Sequence, residues 1–283
     1  MTEIDEKTTL TSYGTATINN SIHIASKIQA DTLFNFTDKI DYIIESLIHK
    51  KLYPRYCTED IRYLQINNIK KIAIPMKCFC DINLHRLAIH LEWYGYFGLA
   101  FSKEWGMRQA IQPVHYINPN SKLCADFTEA FNSALAIDTE VENEHQINMK
   151  DYLLHNLMYL KPYEGNAKNP SGIIEKKCFT DECEWRYIPD VSLSPGLAPI
   201  YFDEEILNDI TLNRLSNALK NDESIGLPFN YSDIKYIIIK EESDLHTLIN
   251  ALKKLQKANQ ITEVENYQLL SKVIIWETSK EDF

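Results

Sequence analysis

Strand and helix patterns follow one another along this chain at irregular intervals, and that irregular order constrains the fold more than any other feature. The strand patterns occupy residues 33–37, 72–80, 95–102, 114–117, 184–188, 234–239 and 273–276. Some of them are nearly consecutive, whereas others are separated by helix patterns of very different lengths. A regular β–α–β succession would instead favour a parallel sheet. The order therefore predicts an α+β fold with a mixed, mostly antiparallel sheet and surrounding helices.

The helix patterns divide the rest of the chain without an internal repeat or a long linker. Apolar residues recur at helical spacing in residues 40–52, 84–94, 203–222 and 245–255, and in two pieces within 124–161. Asp38 is predicted to cap the first of these helices, and the polar stretch 164–175 is predicted to be a loop. We therefore predict a polar N-terminal arm over residues 1–30 and one α+β domain over 31–283. That domain would carry a helical insertion near 124–161.

The charge and the apolar pattern of the chain exclude several classes of function. The formal net charge is −11, and a uniformly acidic surface repels phosphate backbones, so a broad nucleic-acid surface is not expected. The first residues lack a cationic region followed by an apolar stretch, and no apolar run approaches the ~18 residues of a membrane span. These features predict a cytoplasmic protein without a membrane segment.

The cysteines and histidines show no metal-binding pattern. The six cysteines lie at positions 57, 78, 80, 124, 178 and 183, and none of their spacings is that of a zinc knuckle. His85 and His90 are five residues apart, so they project from different sides of a helix. The chain also lacks the glycine-rich phosphate loops and the G-x-S-x-G hydrolase motif. We therefore expect reduced thiols and no metal site.

Three short segments place polar groups beside aromatic side chains at the ends of predicted strands. They are residues 34–37 together with 54–56, residues 98–105, and residues 182–187. Such places can hold a polar ligand group against an apolar wall. In the third segment, Glu184 and Arg186 face one side of a strand and Trp185 faces the other. Two interpretations stay open: a structural Glu–Arg pair between strands with Trp185 in the core, or a binding pocket.

Several strings, in this order along the chain, resemble one family of phage-resistance proteins. They are LFNFT (33–37), YPRYCTED (53–60), IPMKCFCDI (74–82), YGYFGLAFSKEWG (94–106), LKPYEG (160–165), FTDECEWRYIP (179–189) and DIKYIII (233–239). Together they resemble the AbiGi family of abortive phage-resistance proteins over about residues 30–283. The resemblance implies the antitoxin of a two-gene defence system, whose toxin resembles a nucleotidyltransferase. It therefore implies a protein partner encoded nearby and no cofactor.

The order of these motifs is also similar to that of ADP-ribosyltransferase domains, which implies a second possibility. In that scheme Asn35 and Thr37 form the first-strand pair, Arg55 contacts the pyrophosphate or ribose of NAD, Ser102 lies on the second strand, and Glu184 is the catalytic carboxylate. Asn35 stands where the pattern has a histidine. An asparagine still donates a hydrogen bond but does not titrate near neutrality. The alternative function is thus an NAD-dependent transferase or glycohydrolase that uses Glu184.

Overall fold

The computed structural model describes residues 30–137 and 143–282. The strands are β1 (Thr32–Thr37), β2 (Lys51–Leu52), β3 (Arg55–Asp60), β4 (Lys71–Cys80), β5 (Phe97–Ser102), β6 (Gln112–Pro113), β7 (His115–Ile117), β8 (Leu160–Pro162), β9 (Glu164–Lys168), β10 (Ile174–Cys178), β11 (Glu184–Tyr187), β12 (Leu227–Pro228), β13 (Ile234–Ile239) and β14 (Val273–Ile275). The helices are α1 (Ile40–His49), α2 (Leu87–Tyr94), α3 (Lys103–Arg108), α4 (Lys122–Leu135), α5 (Glu144–Tyr159), α6 (Asp209–Leu219), α7 (Glu242–Lys257), α8 (Glu263–Leu270) and α9 (Trp276–Ser279).

One large sheet organises the fold, with the strand order β14-β13-β5-β1-β4-β11-β6 and with β3 added beside β4. Its pairs are antiparallel apart from β13 with β14. Short two-stranded sheets, one of them the parallel pair β7–β8, flank it. The predicted α+β fold with a mixed, mostly antiparallel sheet is therefore confirmed.

Helices cover both faces of the sheet, which explains the continuous apolar run of β13. Ile237 and Ile239 join a core cluster with residues of α1 and α7, whereas Ile238 joins a cluster with residues of α2. Successive side chains of a strand point to opposite faces, so a strand buried on both faces needs apolar residues at consecutive positions. In β1 the same alternation sends Leu33 into the first cluster and Phe34 into the second.

Helices α4 and α5 pack together over the β3–β4 part of the sheet. Their apolar residues form a cluster with Ile72, Ile74 and Met76 of β4. The side chain of Ser121 caps α4 by accepting a hydrogen bond from the Cys124 amide at 3.2 Å, and Asn143 begins α5 with a capping box. These helices occupy the range of the predicted helical insertion. Residues 1–29 of the predicted arm and 138–142 of the acidic stretch lie outside the described residues.

Two local predictions are wrong, and one strand was not predicted. The predicted loop at 164–175 contains most of a hairpin, β9–β10, because an ion pair at 2.6 Å between Glu164 and Lys176 and packing of Phe179 on Gly165 support it. Asp38 does not cap α1, since the helix begins at Ile40 with Lys39 as its N-cap residue. Strand β3 was not expected from its polar sequence, but it pairs with β4 along its whole length.

Candidate functional site

A cleft of about 310 Å³ opens where β1 and β4 separate. The two strands are paired only at Phe34 and Cys80. One residue further along β1, the Asn35 side-chain amide donates a hydrogen bond to the Cys78 carbonyl at 2.8 Å. This bond satisfies a carbonyl of β4 where the ladder between the strands has ended. The sheet can therefore open between β1 and β4 while the Cys78 carbonyl keeps a hydrogen-bond partner.

A network of buried charges forms one wall of the cleft, centred on Arg186, whose side chain is 0% exposed. Its Nε donates to Glu184 Oε1 at 2.7 Å, and its Nη2 donates to Glu59 Oε1 at 2.7 Å. The remaining Nη1 donates to the Met158 carbonyl at 2.8 Å. Each terminal nitrogen of the guanidinium therefore has a partner, as a charge removed from water requires.

Two lysines close the network on the other side of Glu184. The Lys161 ammonium bonds to Glu184 and lies 2.5 Å from Glu182 Oε2. Lys177 lies 2.8 Å from Glu182 Oε1, and the Tyr94 hydroxyl donates to the same oxygen. The carboxylates Glu59, Glu182 and Glu184 are thus matched by the cations Lys161, Lys177 and Arg186.

These contacts keep the buried carboxylates ionised. Burial alone would raise the pKa of Glu184, but the charges of Arg186 and Lys161 outweigh it and hold this pKa well below its usual range. Lys161 and Lys177 lower the pKa of Glu182 against burial in the same way. Neither carboxyl therefore carries a proton that it could donate near neutral pH.

The structure brings three of the five predicted site residues together. Asn35, Arg55 and Glu184 line the cleft. Thr37 lines a neighbouring depression, which Arg55 also reaches. Ser102 lines neither; its hydroxyl accepts the Trp105 amide at 3.1 Å and caps α3. The roles assigned to these residues in NAD binding and catalysis stay predictions.

The structural interpretation expected a Glu184–Arg186 pair between strands, and this placement is wrong, although the two residues do form an ion pair. The two side chains form an ion pair within one strand rather than between strands, and Trp185 packs against the main core on the other face. Sequence reasoning missed Glu59, Lys161 and Lys77, all of which line the cleft. A lone lysine inside the apolar run 72–80 was the one available signal for Lys77.

His90 also reaches the cleft and is 7% exposed. Neither of its ring nitrogens makes a geometrically sound hydrogen bond. Burial lowers the pKa of His90, and nearby Glu182 offsets this only in part. The imidazole is therefore a neutral polar group in the wall of the cleft.

Within residues 30–137 and 143–282, no group of three or more His, Cys, Asp or Glu residues could hold a metal ion. No helix in these ranges is long and apolar enough to cross a membrane.

The fold and the cleft define an α+β protein whose cleft wall is a charge-balanced network rather than a set of free catalytic groups. The family model described as "Putative abortive phage resistance protein AbiGi, antitoxin" matches residues 50–240. The abortive phage resistance protein AbiGi of Lactococcus lactis subsp. cremoris is 32% identical over 245 residues, which cover 81% of this chain and 98% of that protein. This chain therefore belongs to the AbiGi family of abortive phage resistance proteins. No solved structure matches it, so the similarity to ADP-ribosyltransferases stays a prediction.

Proposed function

We propose that this protein is the antitoxin of a phage-defence pair and acts by binding a protein toxin encoded by a neighbouring gene. The observation that carries the proposal is the match of residues 50–240 to a family described as an antitoxin. The geometry of the cleft supports a binding role, because its buried carboxylates are neutralised by Lys161, Lys177 and Arg186. A net charge of −11 suits a basic partner that handles nucleotides or nucleic acids.

Co-expression of this chain with the product of the neighbouring gene tests the proposal. We expect a stable complex on size-exclusion chromatography and relief of the growth arrest that the neighbouring protein causes alone. Because charge complementarity speeds association, the association rate should fall by about tenfold or more between low and high salt. An unrelated protein of similar negative charge is the control and should give neither result. Absence of both complex and relief would contradict the antitoxin function.

The alternative function, an NAD-dependent transferase or glycohydrolase, is favoured by one observation. Asn35, Arg55 and Glu184 converge on the same cleft although they are far apart in the sequence. Against it, both carboxylate oxygens of Glu184 already accept hydrogen bonds from Arg186 and Lys161. A carboxylate held in this way is a poor partner for an attacking hydroxyl unless the network rearranges.

Measurement of NAD consumption by the purified protein, with and without phage components, separates the two functions. We expect no turnover above the rate without protein. If turnover occurs, Glu184→Gln should be compared with Glu182→Gln, which removes a charge from the same network. Loss of turnover in Glu184→Gln alone would establish the enzyme, whereas equal loss in both variants would indicate damage to the network.

A further inference from the structure

A second depression of about 310 Å³ adjoins the cleft, and the two share the side chains of Phe36, Arg55 and Lys77. We call the two together the joined groove. The first part is lined by apolar side chains and the neutralised charge network. The second part, the basic depression, is lined by four cations: Lys51, Arg55, Lys77 and Lys220.

Two of these cations already have carboxylate partners. Lys220 lies 2.7 Å from Glu45 Oε1, and Lys51 lies 3.6 Å from Glu223 Oε2. The other carboxylate that lines the basic depression is Asp38, which accepts a hydrogen bond from Thr37 at 3.5 Å.

Arg55 and Lys77 are different, because neither forms an ion pair with any of the described residues. Arg55 Nη2 instead donates to the neutral Asn213 Oδ1 at 2.6 Å. Both side chains line both parts of the joined groove, and the charge of Arg55 lowers the pKa of Lys77, so the two cations lie near each other. A basic pair without counter-charges is notable on a chain whose net charge is −11.

Lys77 is half-buried between the two parts of the joined groove. Burial lowers the pKa of Lys77 to about 8, since the ammonium has lost part of its hydration without gaining a carboxylate. Cys78 and Cys57 act in the opposite direction, while Arg55 and Lys220 add to the lowering. A bound anion would remove this cost, because it supplies the missing counter-charge in a partly dry site.

The junction that holds these cations also offers a flat apolar surface. The rings of Phe34 and Phe36 are stacked with their centroids 5.7 Å apart and their planes at 8°. Phe36 remains half-exposed and lines both parts. Asn35, beside it, is 8% exposed and uses its amide nitrogen for Cys78. Aromatic rings of this kind bind a planar heterocycle by stacking.

We propose that the joined groove binds a nucleoside phosphate, with the phosphate at Arg55 and Lys77 and the base against Phe36. Nucleotide binding at this site requires neither the toxin nor chemical turnover. It gives the antitoxin a small-molecule ligand in addition to its protein partner. Failure of complex formation with the toxin and failure of nucleotide binding are therefore separate results.

Isothermal titration calorimetry with ATP tests the proposal, with adenosine and inorganic pyrophosphate as the two halves of the ligand. We expect ATP to bind at least about tenfold more tightly than either half, because adenosine would contact only Phe36 and pyrophosphate would contact only Arg55 and Lys77. Lys77→Met and Arg55→Gln should each weaken ATP binding by about tenfold or more. Lys71→Met is the matched control, since Lys71 lies exposed at the other end of β4. This variant should bind ATP with the affinity of the wild type.

Proton uptake gives a second readout that a structural role of Lys77 would not produce. Near pH 8 about half of the Lys77 amines are neutral, and a phosphate bound beside them raises their pKa, so binding takes up protons. Titrations in buffers of different ionisation heat should show this uptake in the wild type and not in Lys77→Met. Absence of ATP binding at about 1 mM would overturn the proposal. Wild-type affinity in both variants, or pyrophosphate binding as tightly as ATP, would overturn it as well.

Discussion

Arg186→Met should lower the free energy of unfolding by about 3–5 kcal/mol, the typical cost of removing one partner from a buried ion pair. The guanidinium is fully buried and holds Glu184 and Glu59 at 2.7 Å each. Methionine replaces the aliphatic stem of arginine but has no guanidinium and no charge, so the variant leaves Glu59 without its cation and Glu184 with Lys161 alone. For a chain of this size, the melting temperature should fall by roughly 6–20 °C. Differential scanning calorimetry and urea unfolding both measure this change.

The matched control is Arg214→Met, because Arg214 is an exposed arginine on α6. It should change the stability by no more than about 0.5 kcal/mol. The double variant Arg186→Met with Glu59→Gln should recover part of the loss, since it removes the carboxylate that Arg186→Met leaves without a cation. A single variant within about 1 kcal/mol of the wild type would contradict the structure, because Arg186 would then not be the centre of the network.

Gly95→Ala should destabilise the protein by roughly 2–6 kcal/mol through backbone strain and collision together. Gly95 ends α2 with φ 100° and ψ 160°, a conformation essentially restricted to glycine. A Cβ at this position would lie 2.2 Å from the Thr37 carbonyl oxygen and 2.5 Å from its carbonyl carbon. Because these are backbone atoms, they cannot move aside as a side chain would. Urea unfolding measures the loss.

Gly196→Ala separates the two causes. Gly196 also has a positive φ, 76°, but a Cβ there would meet no heavy atom within 4 Å. This control should cost only the roughly 1–2 kcal/mol of a left-handed backbone at a residue with a Cβ. Equal losses in both variants would show that the contact of Gly95 with the end of β1 contributes little. A larger loss in Gly95→Ala would show that this close approach fixes the end of β1 beside the cleft.

The contrast between the charge network and the pair Arg55–Lys77 is the main feature of this surface. Both sets of charges lie along the same groove, yet Glu59, Glu182 and Glu184 are all paired with cations, whereas Arg55 and Lys77 have no carboxylate partner among the described residues. A satisfied network supports a fixed shape, whereas unmatched charges at the edge of a groove are available for a ligand. This difference supports a binding role for the groove over an acid–base role.

Local sequence patterns predicted the fold class because the elements that define it have strong periodicity. Strands β4, β5 and β13 are apolar on one or both faces, and α1 and α7 repeat their apolar residues at helical spacing. Strand β3 and the hairpin β9–β10 were missed, because their sequences are polar and their pairing depends on the neighbouring strand. The convergence of Asn35, Arg55 and Glu184 was expected from the motif order and not from any physical property of the residues.

The sequence by itself determined the α+β class, the same-face placement of Glu184 and Arg186, and membership of the AbiGi family through its ordered motifs. Only the tertiary structure decided which charges are paired. Lys161, 23 residues before Glu184, and Glu59, 127 residues before Arg186, reach the network because the fold places β8 and β3 beside it. The strength of an electrostatic interaction depends on the distance between the charges and on burial. The spacing of residues along the chain determines neither the distance nor the burial. The difference between the paired charges of the cleft wall and the unpaired cations of the basic depression therefore appears only when the chain is folded.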